Sequence, residues 1–173
     1  LNGNNKNTIR ISKLADDFAF TGTVSGAGGT NTPACSVYLS GDQNISNNTW
    51  TKITFDSEIY DTNNAFASNK FTVPSGQSGT YNFNTRIKIS GIDDTEFIDS
   101  VLYKNGSAVW NTAKKEYNGG QTDQQIASIV TNQFVLNAGD YIEFYAMHNE
   151  GSTRPALGGA TDGTWMHIYK LIT

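Results

Sequence analysis

The sequence predicts an all-β protein. Runs that alternate apolar and polar residues recur along the chain, and none of them keeps a helical period. Clusters of Gly, Asn, Asp and Ser separate these runs, as turns do in sandwiches and barrels. Charged residues make up only 16% of the chain, below the ~25% usual for globular domains, so its polarity comes from neutral hydrogen-bonding side chains. Together these features favour antiparallel sheets over alternating strands and helices.

Length and charge limit the classes of function. The 173 residues fit one domain of ordinary size. A net charge of −4 with 12 Lys and Arg residues leaves no basic surface for nucleic acid. No apolar run approaches the ~20 residues of a membrane helix. We therefore expect no nucleic-acid partner and no membrane insertion. Because the chain starts with Leu1, we expect a processed or excised piece.

Strand-like composition and alternation predict the following elements in chain order: 8–13, 18–24, 34–39, 50–55, 70–73, 80–90, 97–104, 108–111, 126–136, 141–148 and 164–172. Two hairpins join pairs of these strands. Asn105-Gly106 favours the positive φ angles of a type I′ turn, and Gly139 in "NAGD" can take the left-handed conformation. Both turns predict antiparallel pairing.

A glycine-rich stretch, "SGAGGTNTP" at 25–33, divides the chain. Such stretches make flexible linkers. We therefore predict a connector at 1–33 and a domain at 34–173. The strand segments of the connector hold too few apolar residues for a core, so we expect them to fold only against neighbours.

The strand at 141–148 has two largely apolar faces. Its even-numbered positions Ile142, Phe144 and Ala146 form one face. An ordinary half-buried strand would be polar on the other face, yet that face carries Tyr141, Glu143, Tyr145 and Met147. We interpret this second face as one that packs against protein, where Glu143 requires a partner.

Candidate catalytic groups are few. The two histidines, His148 and His167, lie in no nucleophile motif, and a structural role is the better interpretation for both. Cys35 is the only cysteine, so we expect a buried apolar side chain and no intrachain disulfide.

The paired carboxylates predict solvated turns. They are Asp16 with Asp17, and Asp93 with Asp94 near Glu96. Calcium bound by "GIDDTEF" is the alternative, although this segment lacks the regular oxygen spacing of a dedicated site. We expect no catalytic residues, no resident metal and no cofactor.

A long loop is predicted at 110–125, "WNTAKKEYNGGQTDQQ". Long loops between strands often carry binding residues. Its candidates for receptor binding are Trp110, Lys114, Lys115 and Tyr117, because rings stack on sugar faces while polar groups bond to hydroxyls. The alternative is a variable surface loop with Trp110 packed at the sandwich edge. The loop at 153–163 adds Arg154 as a further candidate.

Several segments resemble a known family when taken in order. "NKFTVPSGQSGTYNFNTRIKIS" contains Phe71-Thr72, Pro74, and Gly79, Tyr81 and Phe83. It is similar to the C1q-like module of the tumour-necrosis-factor-like jelly rolls, and "FIDSVLYKNGSAVW", "FVLNAGDYIEFYA" and "TWMHIYKLI" follow in the expected order. His167 stands where many relatives have glycine. Richness in Asn and Thr, without cysteine pairs or a collagen repeat upstream, is more similar to phage and bacterial versions.

The resemblance implies a jelly-roll sandwich of about ten antiparallel strands that forms a homotrimer. The expected function is a non-enzymatic binding or structural module at the end of a phage tail or head fibre, which contacts a host-surface glycan or protein. Residues 1–33 would join it to other virion or fibre proteins. The two-faced strand supplies the expected trimer contacts, which are Tyr141, Glu143, Tyr145 and Met147.

Two alternatives remain open. One is a purely structural virion decoration protein. The other is a secreted bacterial carbohydrate-binding or adhesion module. The expected location is accordingly the virion, outside the cell, with a secreted or cell-surface location as the alternative.

Overall fold

The computed structural model describes residues 31–172, which form two antiparallel sheets packed face to face. The strands are β1 (Ala34–Tyr38), β2 (Gln43–Ile45), β3 (Thr51–Lys52), β4 (Ser57–Asp61), β5 (Phe66–Ala67), β6 (Lys70–Thr72), β7 (Gly79–Ile92), β8 (Phe97–Lys104), β9 (Ser107–Ala108), β10 (Lys114–Tyr117), β11 (Gln124–Leu136), β12 (Tyr141–His148), β13 (Arg154–Ala156) and β14 (Trp165–Lys170). A short 3₁₀ helix, Trp110–Thr112, lies between β9 and β10. The predicted all-β sandwich is confirmed.

Each sheet is seven-stranded and is built around one central strand. Sheet 1 has the order β2-β13-β7-β14-β1-β4, and β11 pairs with the other edge of β7. Sheet 2 has the order β10-β8-β12-β6-β5, with β3 on β12 and β9 on β8. The two-faced strand of the sequence is β12, so it lies in the middle of sheet 2.

The core fills the space between the sheets. From sheet 1, Tyr81 and Phe83 of β7 point inward, and from sheet 2, Ile142 and Phe144 of β12 do so; all four are at most 2% exposed. The ring of Phe71 lies 5.5 Å from that of Tyr81 and 5.9 Å from that of Phe83. The inward face that alternation predicted for β12 is therefore confirmed.

Most predicted strands have the observed bounds to within two residues. β8 and β12 match 97–104 and 141–148 at both ends. At the turn between β8 and β9, the φ angles of Asn105 and Gly106 are 52° and 78°, as a type I′ hairpin requires. Gly139 also has a positive φ, 88°. Both predicted turns are confirmed.

Two strand predictions were wrong in extent. In the segment 50–55, only Thr51–Lys52 pairs in a ladder. The segment 108–111 leaves the sheet after Ala108, because the Thr112 hydroxyl donates to Val109 O at 2.8 Å and accepts from Leu102 N at 3.0 Å, which bends the chain into a 3₁₀ turn. Short strands with little alternation were missed, namely β2, β4, β5, β10 and β13.

Some predictions concern residues outside 31–172. They include the strands at 8–13 and 18–24, Asp16 and Asp17. The division between a connector at 1–33 and a domain at 34–173 stays a prediction. Pro33, just before β1, accepts a hydrogen bond from Lys170 N at 3.0 Å through its carbonyl oxygen.

Candidate functional site

His148 has a structural position in the core. It is fully buried, and its Nδ1 accepts a hydrogen bond from Glu150 N at 3.2 Å. Its Nε2 therefore carries the proton and donates to Ile45 O at 2.9 Å. Both ring nitrogens serve the backbone, which leaves neither for proton transfer to a substrate.

His167 lies next to a serine, yet the pair does not form a nucleophilic site. Ser36 Oγ and His167 Nδ1 are 2.7 Å apart. Ser36 is only 1% exposed, so its hydroxyl cannot meet a substrate from solvent. The imidazole stacks on Trp165 with 4.3 Å between ring centroids, and burial lowers the pKa of His167. The arrangement holds β1 and β14 together.

The carboxylates of "GIDDTEF" organise loops. Asp93 Oδ1 accepts from Asp123 N at 2.7 Å, and Asp94 Oδ1 accepts from Gly120 N at 2.6 Å. The turn role predicted for this pair is confirmed. Within residues 31–172, no group of three or more His, Cys, Asp or Glu side chains could hold a metal ion.

Helices are short throughout the described part of the chain, and none of them could cross a membrane.

Cys35 is buried as predicted. Burial, with smaller effects from Asp61 and Glu58, raises the pKa of its thiol. The thiol is therefore held in its unreactive protonated form.

The outward face of sheet 2 carries a layer of aromatic side chains. Tyr145 of β12 lies between Lys52 of β3 and Val101 of β8. Its ring stacks on Tyr103 at 3.9 Å between centroids and 26° between planes. Trp50 and Trp110 meet edge to face at 5.8 Å. We call Trp50, Tyr103, Trp110 and Tyr145 the aromatic layer.

The two tryptophans approach this face from opposite sides. Trp50 directly precedes β3, which borders one edge of β12, and Trp110 follows β9, which borders the far edge of β8. Their rings can meet only above the strands between them. Val101 points outward beside Tyr145, yet it is only 1% exposed. The aromatic layer therefore covers the outer surface of β8 and β12.

Glu143 finds its partner within the same chain. Lys52 Nζ donates to Glu143 Oε1 at 2.6 Å and to Ser68 O at 3.1 Å. The expectation that this carboxylate needs a partner is confirmed, but the partner does not come from a neighbouring copy. On the same face, Lys70 Nζ lies 4.3 Å from the centre of the Tyr141 ring.

A second charged pair lies at the β10 edge of this face. Asp99 is 8% exposed and has Lys115 Nζ at 3.9 Å from its Oδ2. Burial raises the pKa of this carboxyl against the opposing effect of Lys115. Lys115 Nζ also lies 3.9 Å above the Phe97 ring, which Tyr117 contacts at 5.5 Å between centroids.

The predicted binding loop contains a strand, β10. β10 pairs with β8, which places Lys115 and Tyr117 beside Asp99 and Phe97 on the outward face. Trp110 and Tyr117 remain 61% and 63% exposed. Lys114 lies opposite the inward residue Ser100, so it points to the other side of the strand. The predicted long loop at 110–125 therefore contains one strand, β10, and ends in the first residues of β11.

Arg154 lies apart from the other binding candidates. It belongs to β13 in sheet 1, and its guanidinium donates to Glu150 Oε1 at 2.7 Å. This contact raises the pKa of Arg154. Its hydrogen-bonding capacity is partly used within the fold.

Two sets of predicted residues share one surface. Trp110, Lys115 and Tyr117 were predicted as receptor contacts, while Tyr141, Tyr145 and Met147 were predicted as trimer contacts. Both sets lie on the outward face of sheet 2. Because Trp110 and Tyr145 belong to one aromatic layer, a subunit that covered one set would block the other. Both roles stay predictions, and they exclude each other.

The outward face of sheet 1 differs in chemistry. One row across five strands reads Tyr60, Ser36, His167, Asn84 and Thr131, and it holds no Asp, Glu, Lys or Arg. Arg86 and Lys88 in the rows beside it both pair with Asp162, at 2.9 Å and 2.7 Å. The edge strand β11 adds exposed aliphatic side chains to this face, Ile129 at 56% and Val135 at 76%.

Sequence reasoning missed Trp50, Tyr103 and Lys52 as members of the sheet 2 face. Alternation along 97–104 could have placed Tyr103 on the same side as Asp99 and Val101. No local pattern could have paired Trp50 with Trp110, since they belong to segments on opposite sides of two other strands.

Comparison with known proteins supports the architecture. No family model matches the chain, and no curated protein does so either. Among solved structures, the globular domain of zebrafish complement 1qA protein is similar, with a TM-score of 0.54 and 14% identity over 82% of this chain and 98% of that one. The Eiger TNF of S. frugiperda is similar as well, with a TM-score of 0.56 and 15% identity over 80% of this chain and 92% of that one. The chain therefore has the jelly-roll fold of C1q and TNF globular domains.

Proposed function

We propose that this chain is a non-enzymatic, homotrimeric binding module that contacts a host-surface receptor, a glycan or a protein, through the outward face of sheet 2. Its setting would be the end of a phage tail or head fibre, outside the cell, with residues 1–33 joined to other virion or fibre proteins. The observation that carries the proposal is the aromatic layer, with its exposed Trp110 and the flanking, exposed Tyr117. Exposed apolar side chains grouped on one face mark interaction sites.

The jelly-roll fold supports assembly as a closed trimer of identical subunits. Sheet 1 is the face that we propose for assembly. Its central rows are uncharged, its Arg86 and Lys88 are already paired with Asp162, and Ile129 and Val135 are exposed on its edge strand β11. The outward face of sheet 2 instead carries Lys52, Glu143 and Asp99 between its rings, and such residues are depleted at the centres of protein interfaces.

A pair of substitutions tests the receptor role. Trp110→Ala combined with Tyr117→Ala should abolish binding of the trimer to host cells, because two exposed anchors are removed. The melting temperature should change little, since both side chains are more than 60% exposed. Binding is measured by flow cytometry with labelled trimer on the bacterial host.

Ile172→Ala is the matched control. Ile172 is 57% exposed and follows β14 of sheet 1, so it lies outside the aromatic face. Its loss should leave cell binding intact. Full binding by the double variant would move the receptor site off sheet 2. A parent trimer that binds no host cell would indicate the purely structural virion role instead.

A further inference from the structure

We infer that the receptor of the sheet 2 face is a carbohydrate chain, which stacks on the aromatic layer and bonds through its hydroxyls to the charged pairs between the rings. This inference rests on the proposed binding function and names its ligand class. It also moves the site from the loop at 110–125 to the sheet face itself, with Trp50, Tyr103 and Lys52 as new members.

The layer gathers rings from several strands into one patch. Its rings come from segments in or beside four neighbouring positions, β3, β12, β8 and β9. Because the rings of Trp50 and Trp110 meet at 5.8 Å between centroids, the layer is a compact patch over β12 and β8. The exposed ring of Trp110 suits a pyranose, because the C–H face of a sugar packs on an aromatic surface.

Polar groups lie where sugar hydroxyls would need them. The Lys52–Glu143 pair, 2.6 Å between Nζ and Oε1, borders Tyr145 and Tyr103. An ammonium only donates hydrogen bonds and a carboxylate only accepts them. Two neighbouring hydroxyls, each able to donate and accept, can use both at once. An apolar protein segment could use neither.

Asp99 lies at the β10 end of the face. It is more than nine-tenths buried, and its Oδ1 has no hydrogen-bond partner among the described residues. Its cross-strand neighbours on either side, Met147 and Lys115, also point outward. The Oδ1 oxygen is enclosed by protein, so a ligand on this face could reach Asp99 only through its other carboxylate oxygen.

The same composition disfavours a protein partner. Aromatic residues and Met are enriched at protein interfaces, while Lys, Glu and Asp are depleted from their centres. Here Lys52 and Glu143 lie beside the stacked tyrosines and not at a rim. A ligand rich in hydroxyls can hydrogen-bond to these charged groups when it covers them, so none of them is left unpaired.

The parent trimer is titrated with short oligosaccharides of glucose, galactose, N-acetylglucosamine and glucuronate. Calorimetry and tryptophan fluorescence measure the affinity for each. At least one of them should bind. Trp110→Ala should weaken that binding about tenfold, the loss of one stacked ring. Trp50→Ala should act in the same direction, and circular dichroism checks that each variant is folded.

Ile172→Ala is again the matched control, because Ile172 follows β14 and lies outside the aromatic layer. It should bind like the parent. The inference is overturned if no oligosaccharide of the panel binds the parent, or if Trp110→Ala binds as tightly as the parent.

Host cells treated with periodate or with protease distinguish a failure of this inference from a failure of the proposed function. Periodate cleaves the vicinal diols of sugars, so it should abolish binding of the parent trimer, while protease treatment of the cells should not. Binding that survives periodate and is lost to protease would overturn the carbohydrate inference and leave the receptor function standing. No binding to untreated cells would remove the receptor function itself.

Discussion

At the residue scale, Glu143 shows how a tertiary contact changes an interpretation. From sequence, a carboxylate among apolar neighbours indicates a partner in another subunit. In the structure Lys52, 91 residues away, supplies the charge at 2.6 Å. Because the carboxylate is 8% exposed and paired, its burial no longer requires assembly.

His167 carries a prediction on pH. Burial lowers the pKa of this imidazole below its ordinary ~6.5. The unfolded chain therefore binds the proton at a higher pH than the folded chain does, so stability is full above pH ~6.5 and falls as the pH drops towards the folded pKa. Between pH 7.5 and pH 5, the melting temperature of the His167→Gln variant should fall by less than that of the parent.

Thermal melts by circular dichroism at the two pH values measure this difference. Every other titratable group is present in both proteins, so its effect cancels in the comparison. Equal losses of melting temperature would show that His167 does not contribute to the acid sensitivity.

At the element scale, the strands with clear alternation and a marked turn were predictable. β8 and β12 match their predicted bounds, and the Asn105-Gly106 turn has the predicted type. β10 was not predictable, because "KKEY" has neither alternation nor a buried residue. It is a strand only because the edge of β8 offers backbone hydrogen bonds to it.

The hairpin between β8 and β9 gives a prediction on stability. Gly106 has φ +78°, where an L side chain is strained, and a Cβ there would lie 3.3 Å from the Tyr141 hydroxyl. Gly106→Ala should therefore lower the free energy of unfolding by about 1–2 kcal/mol. Urea denaturation measures the change.

Gly41→Ala is the control for this substitution. No atom lies within 4 Å of a Cβ built at Gly41, and its φ is not in the left-handed range. Its effect should stay within about 0.5 kcal/mol. If both substitutions lower the free energy of unfolding by the same amount, backbone strain at the turn does not explain the effect of Gly106→Ala.

At the scale of the whole molecule, the sandwich has two outward faces with different chemistry. Sheet 1 presents neutral rows with exposed Ile129 and Val135, while sheet 2 presents the aromatic layer and its ion pairs. This difference separates assembly from binding. One face can bury against copies of the chain while the other stays open to a receptor.

Two arginine substitutions decide which face assembles. Ile129→Arg should convert the trimer to a folded monomer, because it puts a charge into the proposed apolar contact while the side chain is exposed in the single chain. Tyr145→Arg should leave the trimer intact. Light scattering coupled to gel filtration measures the mass of each protein.

The reverse result has an equally clear meaning. A monomer from Tyr145→Arg and a trimer from Ile129→Arg would place the axis at Tyr141, Glu143, Tyr145 and Met147, as the sequence predicts. A parent protein with the mass of a single chain would contradict assembly through either face.

The sequence by itself determined the fold class, the inward faces of the long strands and the principal hairpins. These follow from a period of two and from the backbone freedom of glycine, which are local properties. Only the tertiary structure decided that Lys52 neutralises Glu143, that Trp50 meets Trp110, and that the two predicted sites share one surface. Each of these depends on which strands are neighbours in a sheet. Strand order joins segments far apart in the chain, so no local pattern contains it.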